Sequence, residues 1–130
     1  MNYNEIRTTK DIEYFLETAN DLHDGYVLSV QYANNGIIKT ETGHQINPSQ
    51  TKLSVNILVT SIYDTVIEMV FENILEWQIK VDQFDITETA IEFDDGGFVI
   101  WADGESADTD ARNDGSYVIA RSLKWRIVND

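Results

Sequence analysis

A chain of 130 residues, 42% hydrophobic, with one proline and no cysteine, has the size and composition of a single folding unit around one core; it suggests neither disorder nor a proline-rich linker. The missing cysteines exclude disulfides, thiolate metal sites and cysteine nucleophiles together, and they suit a reducing compartment. With 23 Asp and Glu against 9 Lys and Arg the formal net charge is −14, a surface that repels a phosphate backbone, so direct nucleic-acid binding is not expected. No apolar run approaches the length of a signal sequence or a membrane span, which makes a cytoplasmic location without membrane contact the expectation.

Residues 9–22 carry the one helical pattern, with Ile12, Phe15, Leu16, Ala19 and Leu22 on one face. Thr8 or Thr9 can cap its start, Asp11 and Glu13 suit the first turn, and Gly25 follows its end. The adjacent pair His23 and Asp24 invites comparison with metal-dependent phosphohydrolases. Those sites need further histidines, and His44 is the only other one, so a structural role is expected for the pair, with His23 or Asp24 binding backbone at the helix-to-strand junction.

Residues 26–33 alternate, placing Tyr26, Leu28, Val30 and Tyr32 on one face of a strand. Asn34-Asn35-Gly36 then reads as a three-residue reversal that sets Tyr32 opposite Ile38 and Val30 opposite Thr40, and residues 41–51 read as a loop. Three more strands follow at 53–60, 67–72 and 75–81, with Tyr63-Asp64 and Glu72-Asn73 as their connections. Asp95-Gly96 suits a two-residue hairpin turn pairing Phe93 with Phe98, Ile91 with Ile100 and Ala90 with Trp101. That register puts Ile91, Phe93, Phe98 and Ile100 in the core and leaves Trp101 with Glu92 and Val99 on the opposite face. After a polar, acidic stretch from Asp103 to Gly115, the last strand places Tyr117, Ile119, Leu123, Trp125 and Ile127 at one parity; Arg121 interrupts it, which predicts a bulge or bend there, with Lys124 and Arg126 facing solvent. Trp77 and Trp125 are expected in the core.

The chain therefore reads as one α+β domain over 1–130, mostly β. An N-terminal helix at about 9–22 precedes an antiparallel β-rich sandwich or partly closed barrel of about eight strands at about 26–128, with a meander as the simplest topology.

Ten acids and no Lys or Arg lie between Val81 and Ala111. As a calcium loop the stretch fails in both frames: a start at Asp110 puts Arg112 at loop position 3, and a start at Asp108 puts Asn113 where the glycine belongs. An irregular calcium site using Asp103, Glu105, Asp108 and Asp110 is the one cofactor the sequence offers, and a solvated loop is the simpler reading; no cofactor is called. Paired catalytic carboxylates need one acid in apolar surroundings, and Glu68 and Glu92, inside strand patterns, are the nearest candidates. No phosphate-cradling loop, nucleophile elbow or zinc-binding histidine pair occurs, so the balance is against an enzyme.

Leu22-His23-Asp24-Gly25-Tyr26-Val27-Leu28-Ser29-Val30, the acidic hairpin ending Ile100-Trp101-Ala102-Asp103, and Val118-Ile119-Ala120-Arg121-Ser122-Leu123-Lys124-Trp125-Arg126-Ile127 resemble a family of small uncharacterised bacterial proteins, over roughly residues 22–128. The resemblance implies no activity and carries over no catalytic or binding residue. In size, charge and the His-Asp opening the chain is also faintly similar to immunity proteins that neutralise bacterial toxins. The leading expectation is a non-enzymatic module binding a basic protein through Asp94, Asp95, Trp101, Asp103, Glu105, Asp108 and Asp110. The alternative is a metal-dependent hydrolase or small-ligand protein using the 103–114 loop beside Trp101. Oligomeric state is left open by the sequence.

Overall fold

The computed structural model describes residues 2–80, 85–107 and 115–128. Among them run β1 (Asn4–Glu5), α1 (Thr9–Thr18), β2 (Gly25–Asn34), β3 (Ile37–Thr40), β4 (Gly43–Ile46), β5 (Thr51–Val59), β6 (Thr65–Gln78), β7 (Thr89–Phe93), β8 (Val99–Asp103) and β9 (Tyr117–Ile127). The main sheet has the order β2-β5-β6-β9-β8-β7, with β1 pairing the second half of β9, and every neighbouring pair is antiparallel. The fold is α+β and mostly β, as the sequence indicates, but it is not a simple meander: the last strand returns between β6 and β8.

Strict alternation builds the centre of the sheet. Leu53, Val55 and Ile57 of β5 face Phe71, Met69 and Ile67 of β6, which continue into Leu123, Trp125 and Ile127 of β9. All but Ile127 are buried, and each such side chain contributes about 1.5–3 kcal/mol by leaving water. α1 covers this face. Its start is fixed by a capping box in which the Asp11 amide donates to Thr8 Oγ1 and the Asp11 carboxylate accepts from the Thr8 amide. Phe15 meets Trp125 edge-on at 5.1 Å between ring centres. The helix stops at Thr18, four residues short of the expected end, because Asn20, Asp21 and Leu22 take positive φ of 51°, 57° and 56°. Ala19 and Leu22 still reach the core.

Four local expectations are corrected. Asn34-Asn35-Gly36 does not reverse the chain: Asn35 N–H donates to the Gln50 carbonyl and Asn47 N–H to the Gly36 carbonyl, so the ladder runs on. Thus β2 pairs with β5, and residues 37–46, of which 41–46 were expected as loop, make their own hairpin with Ile37 opposite Ile46 and Thr40 opposite Gly43. A bulge between Val27 and Ser29 also splits the single face expected for β2. Second, residues 65–78 are one strand instead of two; Asn73, at φ 58°, and an extra residue between Ile74 and Glu76 bend it without breaking its pairing to β9. The bend expected near Arg121 lies opposite, since both Ala120 and Leu123 face the core.

The third correction is the register of β7 and β8. Ile91 pairs with Trp101 and Phe93 with Val99, one residue away from the two-residue-turn register. Asp94 explains the slip: its Oδ1 accepts the amides of Gly96 at 2.9 Å and Phe98 at 2.8 Å, its own N–H donates to the Phe98 carbonyl, and Gly97 takes φ 84°. The loop therefore has three residues with a left-handed glycine bulge. Because side chains alternate, the slip sends Val99 and Trp101 into the main core and Ile100 and Ala102 to the other face, where they pack with Ile119 and Ala107. Fourth, Trp77 is 38% exposed instead of buried.

The segment that leads into β7 bridges the start of β2, where the Ile86 amide donates to the Gly25 carbonyl and the Asp24 amide to the Ile86 carbonyl. The sheet does not close into a barrel.

Candidate interaction surface

The acids singled out in the sequence do not converge. Asp94 and Asp95 sit at the β7–β8 turn, and Asp103 and Glu105 lie at the far end of β8, about 17 Å away for a five-residue strand. The Asp94 carboxylate is spent on the turn's own amides. Arg121 lies beside that turn, its Nη1 donating to the Gly96 carbonyl at 2.6 Å and its guanidinium 3.9 Å above the Phe98 ring. Asp108 and Asp110 lie outside the described residues. Trp101 is fully buried, so as a partner contact it is corrected to a core residue; its Nε1 and Thr89 Oγ1 are buried without a hydrogen-bond partner among the described residues. Part of the acidic stretch is anchored: Ala107 is buried and its amide donates to Glu92 Oε2 at 2.9 Å.

Glu68 is tied into a cluster with Tyr3 and Arg126. Burial alone would raise its carboxyl, but hydrogen bonds from Tyr3 at 2.8 Å and Arg126 at 2.7 Å, with the Arg126 charge, hold it below the ordinary carboxylate range. The same bond to Glu68 raises the Tyr3 phenol and the Arg126 guanidinium. Lys124 pairs with Glu72, and Arg7 with Glu5. Glu68 and Glu92 stand on strands separated by two others, too far apart to act as a pair. Among the described residues no three His, Asp or Glu side chains are grouped to hold a metal ion.

His23 and Asp24 stand between the N-terminal helical turns and β2. The His23 ring meets the Thr87 carbonyl through Nδ1 at 2.8 Å, Ser61 Oγ donates to the His23 carbonyl, and Thr60 Oγ1 donates to the Asp24 carbonyl. The Thr87 carbonyl first, then the charges of Asp24, Asp85 and Asp21, raise the His23 imidazole above its ordinary value.

Sequence reasoning missed the surface at the other edge of the sheet. From Gly25 to Ile38 there is no Asp, Glu, Lys or Arg. Along it stand exposed Tyr26, Leu28 and Tyr32 on β2, then Ile37 and Ile38 on β3, with Ile46 beside Ile37 across the hairpin. Tyr32 stacks on Trp77 at 5.9 Å and 24°. The missing charge was visible in the sequence; that this strand lies at an edge was not. None of the described helices is long and apolar enough to cross a membrane. Comparison with protein-family models, with curated proteins and with solved structures finds no match.

Proposed function

We propose that the protein is a non-enzymatic binding module for a protein with a basic surface, acting in the bacterial cytoplasm in the manner of the immunity proteins it faintly resembles. The observation that supports this is how its few cations are used. Arg7, Lys124 and Arg126 are matched to Glu5, Glu72 and Glu68, and Arg121 to a turn carbonyl, so these four offer little to an acidic partner while the chain as a whole carries −14. Such a field speeds encounter with a basic protein more than it tightens the complex.

Affinity capture from the source cell at low and at moderate salt, with identification of the bound proteins, tests this reading. A basic protein held at low salt and released as salt rises is the expected result. Recovery of no protein, or of acidic proteins only, overturns it.

A further inference from the structure

Strand β9 has two partners along one side. β8 pairs with it as far as Ala120 and β1 pairs with it at Lys124 and Trp125, so the sheet forks at residues 121–123, where the Ile6 amide reaches across to the Leu123 carbonyl at 2.9 Å. A cleft of about 490 Å³ opens in this fork, between the chain after β1, the β7–β8 turn and β9. Small-ligand sites commonly enclose about 300–1,000 Å³. Among the described residues, the apolar wall of the cleft is Ile6 and Leu123, both buried, with the half-exposed ring of Phe93. Its charged groups are Arg7 and Arg121 against Glu5, two cations to one anion on a chain that carries −14 as a whole. The two arginines are held differently. Arg121 is fixed by its Nη1 bond to the Gly96 carbonyl and by the Phe98 ring beneath it, and among the described residues that bond uses one of the five donors of a guanidinium. Arg7 pairs with Glu5 at 2.8 Å through side chains that are 73% and 55% exposed; such surface pairs contribute little, so Glu5 can give way to another carboxylate.

We propose that this fork binds a small organic monoanion, a carboxylate on an apolar body, with the carboxylate on Arg121 and Arg7 and the body against Ile6, Leu123 and Phe93. A carboxylate matches the planar donor pair of a guanidinium. Two cations against one anion suit a single negative charge, whereas a phosphate dianion leaves one charge unmatched, and the apolar wall gives phosphate nothing to cover it. The −14 of the whole chain opposes any anion, but at physiological salt that field is screened over about 8 Å, while the guanidinium contacts are direct. An acidic protein would face the whole negative surface; a small monoanion meets the cleft alone. The inference goes beyond the basic-partner reading and does not depend on it.

The probe is phenylpropionate, titrated into the full protein and followed by amide NMR, beside phenylpropanamide, which keeps the body without the charge, and inorganic phosphate, which keeps charge without the body. The protein is used as wild type, as Arg121→Gln and Arg7→Gln, and as Lys39→Gln, which removes the same charge from the exposed β3–β4 hairpin. Saturable shifts of the Ile6 and Arg121 amides by phenylpropionate are expected, with binding weakened by about tenfold in either arginine variant, unchanged in Lys39→Gln, and at least about tenfold weaker for the propanamide. Arg121 also steadies the turn, so if Arg121→Gln unfolds, Arg7→Gln carries the test. Equal binding of the propanamide, or a loss in Lys39→Gln as large as that in Arg7→Gln, shows apolar contact or bulk charge at work and overturns the proposal. Phosphate bound as tightly as phenylpropionate assigns the fork to phosphate and overturns it as well. No saturable shift, or shifts confined to residues away from the fork, overturns it too, and each of these results leaves the capture experiment to judge the basic-partner reading by itself.

Discussion

The two edges of one sheet are protected by different means. At β7 the chain is short, acidic and closed by a turn whose Asp94 carboxylate binds two amides, and the face beneath is filled by Trp101, Val99 and Ile91. At β2 it is long, uncharged and extended by a hairpin whose Ile37, Ile38 and Ile46 are exposed. The difference teaches where a linear count of charge misleads. Among the described residues, part of the acid-rich segment is tied into the fold through Glu92, Asp94 and Ala107, while the segment without charge presents exposed apolar side chains.

Substitutions at the two ends sharpen the comparison. Trp101→Ala empties a fully buried site and is expected to cost about 3–5 kcal/mol in denaturant unfolding, enough to unfold a marginal domain. Gly97→Ala forces φ 84° on a residue with a Cβ and brings that atom to 3.1 Å from Arg121 Nη1; a loss of about 1–2 kcal/mol is expected, and a loss near zero would show that the bulge is not required. By contrast Leu28→Ser and Ile37→Ser should stay within about 0.5 kcal/mol of wild type, because both side chains are already half in water. A large destabilisation in either would mean that β2 and the hairpin are structurally committed after all.

Titration separates the ends again. The folded Glu68 carboxyl lies below its unfolded value, so its contribution is present above the unfolded value of about 4.3 and is lost as pH falls through the folded one. Wild type should therefore exceed Glu68→Gln in stability at neutral pH, with the gap closing in acid; a gap that widens in acid contradicts the Tyr3–Glu68–Arg126 cluster. His23 runs the other way. Its folded value is raised, so its smaller contribution is full below about pH 6.5 and fades as pH rises past the folded value, an effect readable by NMR titration of the ring.

What the sequence made legible follows from what is buried on one side. β5 and the second half of β9 alternate because one face meets α1 and the other meets water or the Glu68 cluster, so Leu53, Val55, Ile57, Leu123 and Trp125 were readable as core. The β3–β4 hairpin has both faces exposed and therefore no alternation, and its tip and return at 41–46 fall inside the stretch 41–51 that reads as a loop. Asp94-Asp95-Gly96-Gly97 offers two places for a left-handed glycine, and only the side-chain bonds of Asp94 select the second. That one-residue ambiguity moved Trp101 from core to surface in the reading, and with it one of the proposed contacts. A two-residue strand such as β1 carries no periodic signal at all.

The central claim about the fold is that the Asp94 side chain sets a three-residue turn and with it the β7–β8 register that buries Trp101. Its most direct test is NMR of the full protein, read as cross-strand contacts between β7 and β8. Close pairs of Ile91 with Trp101 and of Phe93 with Val99 are what this account predicts; Ile91 beside Ile100 and Phe93 beside Phe98 would contradict it.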